Sequence, residues 1–90
     1  MLKLKQKHSF KKDIKKYKHN NKVLDELEYI ISLLIHEKPI SAKYRNPMLT
    51  GNHAGIMEVH LRPDDLLLYV KVEHESITLT ALGSHAELFG

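Results

Sequence analysis

Four side chains in the second half of the chain are of types that move protons. Glu58 and His60 stand two residues apart in MEVHLRPD, Asp64 closes that stretch, and His85 lies in the terminal LGSHAELFG. Two histidines and a carboxylate beside a source of positive charge suit cleavage of RNA. A base must take the proton of a ribose 2′-OH, and an acid must protonate the leaving 5′-oxygen. Cations or hydrogen-bond donors must also meet the charge that builds on the phosphate. Each residue has a plainer reading too. His60 can be a surface residue of a strand, Asp64 can stabilise a Pro-Asp turn, and His85 can cap the last element. Other chemistries lack their residues, since no P-loop, dinucleotide-binding glycine pattern or G-x-S-x-G is present. The seven histidines never occur as H-x-H or H-x-x-x-H, and the spacings His53 to His60 and His74 to His85 match no common zinc pattern. Neither a metal site nor a cofactor is expected.

The positive charge is concentrated at the start. Residues 1–22 hold nine lysines and one acid, Asp13, close to +8, whereas the other 68 residues hold five basic and ten acidic side chains, −5. Like charges so crowded repel one another unless a polyanion or an acidic partner meets them; otherwise they are a solvated helix face. The length of 90 residues and an apolar fraction of 42% suit one domain, residues 1–90, with one modest core. The absence of cysteine excludes a disulfide scaffold and fits a reducing cytoplasm. No apolar run has the length of a signal peptide or a membrane span, so no membrane partner is expected.

Hydrophobic spacing supplies the elements that must position these groups. Leu2 and Leu4 alternate with lysines and predict a strand over 1–7. Ser9 is the candidate N-cap of an amphipathic helix with Phe10, Ile14 and Tyr17 on one face, running to about Lys18. After a turn at 19–21, VLDELEYIISLLIHEK carries the clearest helical periodicity, and Pro39 ends it. Residues 39–55 read as an irregular connection. Strands follow at 56–61, 66–72 and 77–82, with turns at 62–65 and 73–76, and then a short terminal element. The order β-α-α-β-β-β implies an α+β fold, a small antiparallel sheet with both helices packed on one face. Glu58 and His60 share the other face. In such a meander, His60, Asp64 and His85 can converge at one edge of the sheet.

The residues also carry a resemblance. YRNPMLTG, the histidine of MEVHLRPD, the strand LLLY and the ending LGSHAELFG resemble the YafQ branch of the RelE superfamily of bacterial toxins, over nearly the whole chain. The resemblance implies a ribosome-dependent mRNA endonuclease that binds in the decoding site and cuts by 2′-OH attack without metal. It also implies a cognate antitoxin held in a hetero-oligomeric complex. By position, His85 matches the general acid, and His60 and Asp64 match base or positioning groups. Phe89 matches an aromatic platform on which a base stacks. RNA contacts are expected from Arg45 and Arg62, and ribosome docking from Lys11, Lys12, Lys15 and Lys16. This chain departs from the pattern at four positions. Pro47 takes the place of a histidine, Ala81 of an arginine, Asp65 of the aromatic after Asp64, and Met57 of an arginine near the strand acid. These departures keep open a non-catalytic module that binds antitoxin and ribosome. A small basic nucleic-acid-binding protein outside the family is the remaining alternative.

Overall fold

The structure, a computed structural model, describes residues 1–47, 49 and 55–90. The elements in chain order are β1 (Lys3–Gln6), α1 (His8–Lys15), α2 (Asn21–Ile35), a 3-10 turn (Ala42–Tyr44), β2 (Met57–Arg62), β3 (Asp65–Val72), β4 (Ser76–Gly83) and α3 (His85–Phe89). They form a four-stranded sheet in the order β1-β4-β3-β2.

The meander β2-β3-β4 is antiparallel, as its two tight turns require. β1 differs from the expected pairing. It lies parallel to β4, with Leu4 opposite Ile77, because α1 and α2 intervene between β1 and the meander and free it to enter the sheet in either direction. The amide of Leu2 donates to the carbonyl of Ile35 at 2.7 Å, tying the start of the chain to the end of α2. Leu2 is buried there, while Leu4 is exposed.

Helix ends also shift from the sequence reading. Ser9 lies inside α1, and its hydroxyl donates to the carbonyl of Thr80 on β4, so it pins the helix to the sheet rather than capping it. α1 ends at Lys15, short of Lys18. Asn20 caps α2 by accepting from the amide of Val23 at 3.2 Å. α2 closes at Ile35, and Glu37 takes a left-handed φ of 53°.

The core lies between the helices and one face of the sheet. Phe10, Val23, Leu27 and Ile30 meet Val59, Leu67, Tyr69, Ile77 and Leu79. β4 contributes Leu79 and Leu82, three apart, which strict alternation would send to opposite faces. A bulge resolves this. Tyr69 pairs with Leu79 and Leu68 with Ala81, so Thr80 is the extra residue, and its hydroxyl donates to the carbonyl of Leu68. Beyond the bulge the alternation is reset. Leu82 points to the core, while Ala81 and Gly83 join Glu58, His60, Leu66 and Leu68 on the opposite face.

Candidate active site

Two rows of side chains cross that opposite face. Glu58, Leu68 and Ala81 form one, and His60, Leu66 and Gly83 form the next. Strands stand about 4.8 Å apart, so each row spans roughly 10 Å from β2 to β4. Because β2 and β4 run the same way, both reach the same end of the sheet, and the turn after β2 and the helix after β4 leave from that end.

His60 is the first centre. Its Nε2 lies 2.6 Å from Oε1 of Glu58, and the two side chains are 20% and 10% exposed. The spacing of two on one strand puts both on one face, and the buried Leu66 and Leu68 are their cross-strand partners. His60 also lines a cleft of about 310 Å³ with Glu26, Lys43, Tyr44, Arg45 and Arg62. The Tyr44 hydroxyl donates to Glu26 Oε2 at 2.7 Å, and this bond, with burial, pushes the phenol up to about 12. The Lys43 ammonium stands 4.9 Å from the centre of the Tyr44 ring. Arg45 has a φ of 45°, which a non-glycine residue adopts only at a cost of about 1–3 kcal/mol. Next to it, the Asn46 amide and the Tyr69 hydroxyl bond each other at 3.1–3.2 Å.

α3 is the second centre. Ser84 and Glu87 form a reciprocal capping box, with the Ser84 amide donating to Glu87 Oε1 at 2.8 Å and the Glu87 amide to Ser84 Oγ at 3.1 Å. These bonds hold the Glu87 carboxyl below its ordinary range, with Lys16 4.0 Å away adding to the effect. Asp64 Oδ1 accepts from the amide of His85 at 3.0 Å, so the turn after β2 is fastened to the first residue of α3. The His85 and Phe89 rings, one helical turn apart, have centroids 5.0 Å apart.

α1 braces this corner from the other side. Asp13 Oδ2 accepts from the amide of Leu82 at 3.0 Å, and the Tyr17 hydroxyl donates to Asp65 Oδ1 at 3.0 Å. Burial, followed by the Asp65 carboxylate, raises the Tyr17 phenol well above its ordinary range, so it stays a donor.

The residues expected from sequence thus fall into three places. Asp64, His85 and Phe89 come together at α3. His60, Arg45 and Arg62 share the cleft. Lys11, Lys12 and Lys15 on α1 and Lys16 at its C-cap are exposed, and none lines the cleft. His53, and Met48, Thr50 and Gly51 of the YRNPMLTG stretch, lie outside the described residues. Among the described residues no three His, Cys, Asp or Glu side chains gather as metal ligands. Sequence reasoning missed Glu26 and the Tyr17–Asp65 bond, whose partners are 48 residues apart, and neither leaves a local signal.

Comparison with known proteins settles the family. Residues 2–90 match the family described as bacterial toxin of type II toxin-antitoxin system, YafQ. The mRNA interferase toxin YafQ of Escherichia coli strain K12 is 33% identical over 82 residues, covering 90% of this chain and 88% of that protein. A crystal structure of the E. coli DinJ-YafQ complex superposes with a TM-score of 0.86 at 30% identity, covering 100% of both chains. A metal-bound toxin from Helicobacter pylori superposes with a TM-score of 0.88 at 37% identity, covering 99% of this chain and 100% of that one. The chain belongs to the YafQ family of bacterial type II toxin–antitoxin toxins.

Proposed function

We propose that this toxin is a ribosome-dependent mRNA endonuclease of the cytoplasm, held inactive by a cognate antitoxin in a hetero-oligomeric complex. The single observation that carries the reading is the shared end of the sheet, where His60 faces a cleft with Lys43, Arg45 and Arg62 and the adjacent turn holds the first residue of α3 through Asp64. His60 is the base that takes the 2′-OH proton, and His85 is the acid that protonates the leaving oxygen. The reaction drawn this way runs on side chains alone. Asp64 positions His85 through its amide. Phe89, paired with the His85 ring, is the platform for a base of the mRNA. Arg45 and Arg62 contact RNA phosphates near the scissile bond. Lys11, Lys12, Lys15 and Lys16, none of which lines the cleft, dock on ribosomal RNA. The relative crystallised as a DinJ-YafQ complex supports an antitoxin partner here.

Purified toxin, ribosomes programmed with a defined mRNA, and primer extension test this. Cuts confined to ribosome-bound mRNA support it, and ribosome binding without cuts identifies the non-catalytic module that Pro47 and Ala81 leave open.

A further inference from the structure

We infer that Glu58 is a positioning residue: by accepting the Nε2 proton of His60 it fixes the tautomer in which Nδ1 is the proton acceptor presented to the cleft. This rests on the reading of the site as one that cleaves RNA. An ionised carboxylate is an acceptor only, so the imidazole nitrogen facing it carries hydrogen. Neutral imidazole has one N–H and one bare nitrogen, so a protonated Nε2 leaves the lone pair on Nδ1. The contact of 2.6 Å is short, as charge-assisted bonds are. Both side chains are largely withdrawn from water over Leu66 and Leu68, which offer no competing polar group. In such surroundings a hydrogen bond is electrostatically stronger than in water. Among the described residues His60 is the only imidazole lining the cleft, so the orientation of this one ring decides which nitrogen a substrate hydroxyl meets.

In the reaction Nδ1 takes the 2′-OH proton while O2′ forms a bond to phosphorus. The P–O5′ bond breaks, and the leaving oxygen takes a proton from His85. The products are a 2′,3′-cyclic phosphate and a 5′-hydroxyl. The imidazolium left behind keeps its Nε2–H on Glu58, which stabilises the charge it has gained.

The test is a long-range 1H–15N spectrum of histidine-labelled toxin at mildly alkaline pH, with single-turnover cleavage on programmed ribosomes for the parent, Glu58→Gln and Glu58→Leu. His60 should show a protonated Nε2 and a bare Nδ1. Glu58→Leu should lose that fixed tautomer and cut roughly tenfold or more slowly, part of the 10²–10⁴ a general base supplies, with ribosome affinity unchanged. Glu58→Gln, whose amide oxygen can still accept, should cut faster than Glu58→Leu. A parent spectrum with hydrogen on Nδ1 overturns the inference even if Glu58→Leu does not fold. Folded Glu58→Leu cutting at the parent's rate overturns it as well. A parent that shows the expected tautomer but never cuts overturns the nuclease reading, and with it the role of Glu58. That result is told apart from a failure of the inference alone by the spectrum.

Discussion

Ala81→Arg should raise the cleavage rate about tenfold. Ala81 shares a row with Glu58 and adjoins the row of His60. Roughly 10 Å separates the β4 and β2 ends of a row. An arginine side chain covers more than half of that distance and brings its guanidinium towards the phosphate beside His60. One preorganised donor to a developing phosphate or oxyanion charge is worth about 10²–10³ in rate, roughly 2.7–4 kcal/mol. Two costs reduce this. Fixing a long side chain costs about 1.5–2 kcal/mol of rotamer freedom. Ala81 is also only half-buried, so water screens part of the gain. About 1–2 kcal/mol remains, which is close to tenfold. Capture of the guanidinium by Glu58, whose Oε1 holds His60 at 2.6 Å, is the competing outcome, and Ala81→Arg with Glu58→Gln separates it from a phosphate contact. Single-turnover cleavage on programmed ribosomes reads the gain, with ribosome affinity and a denaturation curve as controls. An unchanged rate with fold and affinity intact would refute the reasoning, and would place the phosphate grip on Arg45 or Arg62 instead.

Replacing Lys11, Lys12, Lys15 and Lys16 together by glutamine should weaken ribosome binding and flatten its log–log salt slope while leaving the fold intact; equal affinity and slope would mark this charge as a solvated helix face. Tyr17→Phe should lower stability by about 1 kcal/mol, the net worth of a hydrogen bond whose acceptor can regain water, measured by urea unfolding. The Glu87 carboxyl is lowered in the fold, so its support of α3 is present above its ordinary value of 4.5 and is lost as pH falls through the lowered one. Amide exchange of α3 should therefore quicken in acid before the sheet opens, and Glu87→Gln should remove that difference.

Regular periodicity made much of this molecule legible in its sequence. The apolar spacing of α2 translates directly into a buried face, and the alternation of β2 sends Val59 and Leu61 into the core. The shared face of Glu58 and His60 likewise needs only the period of a strand. The bulge at Thr80 was not legible, because Leu79 and Leu82 reach the same face only through an extra residue that no local pattern marks. The direction of β1 was equally hidden, since four alternating residues serve a parallel or an antiparallel pairing alike. In the site, Asp64 and His85 were placed at one edge from topology. The bond between the Asp64 carboxylate and the His85 amide, rather than its ring, came only from the fold. Asp65 stood out as a departure from the family pattern, and its bond to Tyr17 required knowing how α1 lies on β4.

We propose that this chain cuts ribosome-bound mRNA with His85 as the proton donor. The most direct measurement is single-turnover cleavage on programmed ribosomes by the parent and His85→Ala, with ribosome affinity measured on the same preparations. The variant should cut about 100-fold or more slowly at unchanged affinity, the scale of a lost general acid. A variant that cuts as fast as the parent would contradict it.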